Sequence, residues 1–355
     1  MKICIWITKI FDLGGTKRVV SLLANELVKE HEVTIMTYED RFREDRTMYH
    51  LSEDINVDFI DNSQFVNKHH TPAFCARYLV KKLNDRSGLF NKKSLNPTLA
   101  ESIFPKKTRE KCVEYCNSQD YDVILTTASL SLRLAMIAPR LKAATIGWQH
   151  NCYDGYLHVK PVVFWQQENL LQQYLPNLDR YIVLSDYDKR DYMEKLGIDC
   201  EVKINPRSFV SEKKCDVKSK RFLMATRFVY AKGLDLMMES FEEFCKEDSE
   251  WELDIIGDGD LFDQIRADAK KRHLEKRVHF VGYTNEPEKY YLNSSVFLLP
   301  SRWEGWPMVI MEAFEFGLPV IAYHMGAMDL IIDDGKTGFL PDDFAPHKFS
   351  QAMPN

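Results

Sequence analysis

The sequence has no apolar run approaching the ~20 residues that a helix needs to cross a bilayer, so no membrane span is expected. Its first residues are apolar, but the run ends at Thr8 and Lys9, too early for a signal core followed by a cleavage site. A cytoplasmic chain is expected, free to touch a membrane surface without spanning it. Excess positive charge is also lacking. With 47 Lys and Arg against 53 Asp and Glu, a formal charge of -6 and a pI near 6.0, no overall basic field gathers a nucleic-acid backbone. Low-complexity sequence is missing too, and 45% hydrophobic with 28% charged residues is the composition of a globular chain. Paired cysteines are scarce. Of Cys4, Cys75, Cys112, Cys116, Cys152, Cys200, Cys215 and Cys245, only Cys112 and Cys116 lie close, and no second pair completes a zinc site. They read as reduced thiols, mostly buried. No Ser-His-Asp set, Cys-His pair or close pair of acids poised for hydrolysis is apparent along the chain.

What is present is length and alternation. At 355 residues the chain exceeds what one core organises, so two domains are expected. Ile- and Val-rich runs at 2–8 and 32–37 bracket a helical period at 17–29, a βαβ unit that implies a parallel sheet. Further strands are predicted at 57–60, 122–125, 144–148 and 180–184, with helices at 129–139 and 186–196. The alternation then restarts, with strands at 222–225, 253–257, 278–281, 296–299 and 320–322. Helices at 234–246, 261–272, 286–292 and 307–316 separate them. The polar run SEKKCDVKSK after Pro206 reads as a linker. This gives a first domain at 1–205, a linker at 206–220, a second domain at 221–345 and a tail at 346–355. In open α/β sheets ligands bind beyond the carboxyl ends of the strands, so functional residues are expected just after strands.

The densest signal is SRWEGWPMVIMEA, Ser301 to Ala313, directly after the strand at 296–299. Pro307 suits the first position of a helix, where its missing amide hydrogen would have no acceptor. Glu304 then lies in the loop before a helix N-terminus, a natural phosphate site made of free amides. Glu312 follows one and a half turns further on, and two carboxylates so spaced can accept hydrogen bonds from vicinal hydroxyls. Arg227 and Lys232 follow the strand at 222–225, where two cations can neutralise a diphosphate or simply sit solvated at the surface. Gly14 and Gly15 follow the first strand and allow close approach of a ligand or an ordinary tight turn. In the run Gly257-Asp258-Gly259-Asp260, Asp258 reads as a turn former and Asp260 as a helix N-cap rather than as ligands of a metal. His150 ends the strand at 144–148.

Taken together these residues resemble family 4 retaining glycosyltransferases, which have the GT-B fold: two Rossmann-like domains with parallel sheets facing across a cleft. Glu304 and Glu312 match the family's E-x7-E signature, RFVYAKG from Arg227 to Gly233 its R-x4-K-G motif, and Gly14-Gly15 its glycine-rich first loop. Gly257-Asp258-Gly259 and Val281-Gly282-Tyr283 fall where the family has glycine turns after strands. The resemblance implies a nucleoside diphosphate sugar as donor, with a uridine base expected, and a glycan or lipid-linked acceptor in polysaccharide, capsule or exopolysaccharide synthesis. It implies no metal or other cofactor. It also implies that Arg227 and Lys232 hold the diphosphate, Glu304 the donor sugar, Glu312 the ribose and His150 the transferred sugar. Gly282 and Tyr283 would meet the base, while Gly305, Trp306, Pro307 and Met308 form the phosphate-binding helix start.

Two departures stand out. Met325-Gly326-Ala327-Met328-Asp329 replaces the family's Gly-Gly-x-x-Glu, and the chain stops at Asn355, where the family continues with helices that cross back, so a truncated or short member is expected. Alternatives on the same fold are a nucleotide-sugar epimerase or a phosphorylase, and outside enzymes a non-catalytic nucleotide-sugar-binding subunit. Residues 77–111 carry ten Lys or Arg against three acids. That stretch reads either as a solvated excursion around helices, or as a surface for anionic lipid or a lipid-linked diphosphate.

Overall fold

Lys2–Ile7 (β1), KICIWI, is apolar at all but its first position, and all but that first residue are buried, as a strand covered on both faces requires. The computed structural model describes residues 1–39, 41–60, 71–160, 163–248 and 250–354, and divides the chain into two units, Met1–Pro206 and Arg207–Asn355.

In the first unit β1 is followed by α1 (Gly15–Leu27), β2 (Glu32–Thr37), β3 (Asn56–Phe59), α2 (Pro72–Ser87), α3 (Asn96–Ile103) and α4 (Lys106–Ser118). Then come β4 (Val123–Thr127), α5 (Ser129–Ile137), β5 (Ala144–Trp148), α6 (Tyr153–Leu157), α7 (Glu168–Tyr174), β6 (Arg180–Val183), α8 (Asp186–Asp191) and β7 (Glu201–Val202). The sheet order is β3-β2-β1-β4-β5-β6-β7, all parallel, with Ile5 paired to Ile35 on one side and Leu125 on the other. The order reverses between β1 and β4, and ligand sites of open sheets form at such a point. Trp6, Phe164 and Tyr192 are among its largest fully buried side chains.

The second unit repeats the plan with β8 (Arg221–Ala225), α9 (Leu234–Phe244), β9 (Glu252–Ile256), α10 (Phe262–Lys271), β10 (Val278–Gly282) and α11 (Glu288–Leu292). It continues with β11 (Val296–Leu299), α12 (Met308–Glu315), β12 (Val320–Ala322), β13 (Gly338–Phe339) and α13 (Pro346–Gln351). Its order, β10-β9-β8-β11-β12-β13, reverses between β8 and β11. Successive side chains of a strand point to opposite faces, so β8 feeds two cores. Phe222 and Met224 pack with α9 residues such as Phe241, and Leu223 with Tyr291 and Ile310.

Three expectations are corrected. The helix expected over 186–196 is α-helical only to Asp191, and Tyr192–Leu196 is π-helical. The segment expected as a linker is laid on the second unit: Ser211 N donates to Glu315 Oε1 (2.8 Å), Cys215 N to the Phe316 carbonyl (2.8 Å) and Asp216 N to the Leu292 carbonyl (3.0 Å). Its polar side chains read as solvated, yet besides the backbone amides Ser208 Oγ bonds Glu312 (2.8 Å) and Lys214 Nζ the Glu315 carbonyl (2.7 Å). The tail is a working part of the fold, since α13 and the residues just after it place Phe349 and Met353 in the core beside Tyr323, with 4.8 Å between the Tyr323 and Phe349 ring centres. Residue 355 lies outside the described residues. The edge strands β7 and β13, two residues each, are too short for a sequence period to reveal them.

Candidate functional site

At the β8–β11 reversal the loops beyond the strands are tied to one another by backbone. Phe228 N donates to the Asp258 carbonyl (2.9 Å), Leu261 N to the Phe228 carbonyl (3.0 Å), Gly257 N to the Gly282 carbonyl (2.9 Å) and Arg302 N to the Ala231 carbonyl (2.8 Å). In these loops a Cβ at Gly233, Gly257 or Gly259 would lie under 3.0 Å from backbone atoms, and glycine is required there. A Cβ on Gly233 (φ +63°) would lie 1.9 Å from the Pro300 carbonyl oxygen, and one on Gly257 (φ +128°) 1.7 Å from that of Thr226. The R-x4-K-G glycine thus lets the β8 loop lie against the β11 loop. Gly282 (φ +77°) has open space where a Cβ would stand, so its backbone angle alone selects glycine there.

This closeness delivers the charges. Lys232 Nζ lies 2.5 Å from Glu304 Oε1, which also accepts from Ser301 Oγ at 2.7 Å. The two side chains are only 20% and 10% exposed, a setting in which losing one partner leaves the other charge poorly solvated. Sequence reasoning assigns these residues to different parts of a ligand, and the structure brings them together. Arg227 is exposed and has no ion pair among the described residues. The neighbouring Arg302, which sequence reasoning passes over, forks onto Asp235 (2.8 and 2.6 Å) and stacks 4.0 Å from the centre of the Tyr230 ring, using the planar, two-pronged geometry of a guanidinium. Its place inside the Ser301–Ala313 string, with Asp235 opening α9, was the available signal.

The helix α12 begins at Met308, so Pro307 is its N-cap with ψ 112° rather than its first helical residue. Gly305, Pro307 and Met308 are buried and Trp306 half-buried just ahead of the free amides of this helix. Glu312 is 4% exposed, and both of its oxygens are engaged, Oε1 by Ser208 Oγ (2.8 Å) and Oε2 by the Tyr291 hydroxyl (2.9 Å). Neither donor is announced by the sequence. Gly326, in the turn after β12, has its would-be Cβ 3.5 Å from the Glu304 carbonyl, so the departure from the family pattern lies beside the site. Tyr283 stands exposed after β10.

Asp260 does not cap a helix, because α10 starts at Phe262 with Leu261 before it. Asp258 bonds locally to Gly259 N at 2.7 Å, as a turn former does. Among the described residues no group of three or more His, Cys, Asp or Glu is placed to hold a metal ion.

In the first unit the β1 loop is fixed by groups the sequence does not advertise. Glu39, buried after β2, accepts from Ile10 N (2.6 Å) and Phe11 N (2.9 Å), and Gly14 N donates to the Tyr49 hydroxyl (2.9 Å). Gly14 caps α1, with Gly15 its first residue and open space where a Gly15 Cβ would be. At the same sheet end, past β5, the His150 ring leans on Trp148 at 4.5 Å, and neither ring nitrogen has a hydrogen-bond partner among the described residues. Burial pushes its pKa down to about 3 because a desolvated imidazolium is disfavoured. The ring is therefore neutral near pH 7 and can donate from one nitrogen and accept at the other. Between β4 and α5, Ala128 adopts φ 51°. Such a conformation costs a non-glycine residue about 1–3 kcal/mol and clusters at functional sites.

Two parallel Rossmann-like domains of this order, one carrying paired basic residues and an E-x7-E helix start at its reversal point, define a GT-B glycosyltransferase. Residues 13–208 match Glycosyltransferase Family 4 and residues 208–354 match Glycosyl transferases group 1. The chain belongs to glycosyltransferase family 4 and is an enzyme that uses a nucleotide sugar. It is 25% identical to an uncharacterized glycosyltransferase of Haemophilus influenzae, over 96% of this chain and 85% of that one. It is 31% identical to a lipopolysaccharide 1,6-galactosyltransferase of Salmonella typhimurium over 36% of this chain and 38% of that one. A mutant of TarM from S. aureus, in complex with fondaparinux, alpha-GlcNAc-glycerol and UDP, shares the fold with a TM-score of 0.75 at 15% identity, covering 99% of this chain and 91% of that one. No helix among the described residues is long and apolar enough to cross a membrane.

Proposed function

We propose that this enzyme is a retaining hexosyltransferase that takes a sugar from a uridine diphosphate donor and adds it to a growing bacterial glycan or its lipid-linked precursor. The observation that carries the reading is the convergence of Arg227, Lys232, Glu304 and the α12 N-terminus on the β8–β11 reversal of one sheet. Arg227 and Lys232 face the charge that develops on the departing diphosphate, and fixed cations aimed at developing charge often contribute more to catalysis than any other effect. Glu304 holds donor-sugar hydroxyls, Glu312 the ribose, Gly282 and Tyr283 the base, and His150 the transferred sugar. The acceptor oxygen bonds the anomeric carbon as that carbon's bond to the diphosphate oxygen breaks. The hydroxyl proton passes to the leaving diphosphate, so no protein nucleophile and no metal are needed. UDP in the TarM complex and the galactosyltransferase relative support donor and product class.

The partner surface we assign to an anionic bilayer is α2 and its continuation. Tyr78, Leu79, Leu83 and Leu89 are exposed at 59%, 55%, 39% and 48%, and Lys81, Lys82 and Arg86 are exposed beside them. Exposed apolar side chains flanked by cations fit the boundary between headgroups and acyl chains. The function is tested by saturation-transfer NMR against a panel of nucleotide sugars, followed by product analysis with glycan acceptors. Transfer from a uridine diphosphate sugar with retained anomeric configuration supports the reading. Conversion of donor without acceptor would make the enzyme an epimerase, a requirement for inorganic phosphate a phosphorylase, and binding without turnover a donor-binding subunit.

A further inference from the structure

Resting on the reading of Glu312 as the ribose-binding carboxylate, we propose that Tyr291 and Ser208 are positioning residues that fix its plane for the ribose diol. A Glu side chain has a soft terminal torsion, and a free carboxylate swings through a broad range. Here the two oxygens are held separately by donors from different parts of the unit. Tyr291, fully buried on α11, donates to Oε2 at 2.9 Å, and its ring is locked between Phe297 (5.8 Å, interplanar angle 8°) and Phe316 (5.2 Å, 19°). Ser208 donates to Oε1 at 2.8 Å from the second residue after Pro206, where the chain has just left the first unit.

That segment is itself fastened to the same helix. Ser211 N bonds Glu315 Oε1 at 2.8 Å, Arg207 reaches Glu315 Oε2 at 3.6 Å, and the Phe209 ring lies 5.4 Å from that of Phe316. A rigid aromatic on one side and an anchored backbone on the other leave the carboxylate little freedom to turn. Charge-assisted bonds are strong and directional, so the clamp settles the orientation before a ligand arrives and lowers the ordering cost of binding two vicinal hydroxyls. A donor pair serving only to satisfy a buried charge would stabilise the fold without discriminating between sugars.

The two roles separate in calorimetric titrations with uridine diphosphate and its 2′,3′-dideoxy analogue, which lacks the diol. The unmodified chain is expected to prefer uridine diphosphate by about tenfold or more, the scale of a charged hydrogen bond. Glu312→Gln should collapse that preference. Tyr291→Phe, which keeps the ring stack, and Ser208→Ala, on a half-buried segment, should each cut it several-fold while leaving affinity for the analogue unchanged. If Tyr291→Phe does not fold, Ser208→Ala carries the test alone. Undiminished preference in the folded clamp variants, alongside its loss in Glu312→Gln, overturns the clamp and leaves the ribose reading standing. Undiminished preference in Glu312→Gln, or no binding of uridine diphosphate to the unmodified chain, overturns the ribose reading and the clamp with it.

Discussion

Lys232 and Glu304, 72 residues apart in sequence, form one ion pair with 2.5 Å between Nζ and Oε1. The pair exists because Gly233 lets the loop after β8 lie against the carbonyl of Pro300. A double-mutant cycle with Lys232→Met and Glu304→Gln should give a coupling of about 1–3 kcal/mol in urea unfolding, since each single change strands a charge that the pair neutralised. Additive single effects would show that the two act independently. Lys232→Met should also lose at least about a hundredfold in turnover, the scale of removing one group that stabilises developing charge.

Replacing Glu312 by Ala is expected to weaken uridine diphosphate binding by about 1–3 kcal/mol, the usual cost of losing a charged hydrogen-bond partner. Calorimetry on the folded variant checks it, and unchanged affinity removes Glu312 from the site.

Turnover should survive excess EDTA, because Arg227 and Lys232 supply the positive charge that a metal would otherwise bring. Activity that vanished with chelator and returned with Mn²⁺ or Mg²⁺ would bring Asp258 and Asp260 back as ligands.

Acid stability should carry the marks of His150 and Asp188. Burial lowers the His150 pKa from 6.5 to about 3, so between those values the unfolded chain binds the extra proton and stability falls as pH falls. The slope is at most about 1.4 kcal/mol per pH unit for a single group. Burial raises Asp188 from 3.8 to about 6 against the bonds from Ser185 and Tyr153. Over that interval the folded chain binds the extra proton, and stability falls as pH rises. Relative to the unmodified protein, His150→Gln should therefore gain stability as pH falls through the interval the two groups share, and Asp188→Asn should lose it. Parallel stability-against-pH curves for all three proteins would contradict both assignments.

Reversing Lys81, Lys82, Lys92 and Lys93 to Glu should reduce sedimentation with anionic liposomes. Added salt should act likewise, since surface attraction is screened over about 10 Å at 0.1 M. Equal binding by both proteins at low salt would exclude the bilayer as the partner of this surface.

The sequence by itself determined the doubled α/β plan, because strands buried on both faces must read as Ile- and Val-rich runs and the helices between them keep a period of about 3.6 residues. It also marked Arg227, Lys232, Glu304 and Glu312, whose spacing within short strings survives without knowledge of the fold. Only tertiary structure decided which of them meet. The Lys232–Glu304 pair depends on two loops crossing at Gly233, and the grip of Ser208 and Tyr291 on Glu312 spans 104 and 21 residues. The polar stretch after Pro206 reads as a linker because side chains advertise solvent, whereas its attachment to α12 and α11 runs partly through backbone amides that every residue but proline carries, and partly through Ser208 and Lys214, whose partners lie 104 and 101 residues on. His150 was legible as a residue at a strand end. Its neutrality was not, because a pKa is set by what surrounds a side chain in space, here the burial of both ring nitrogens beside Trp148.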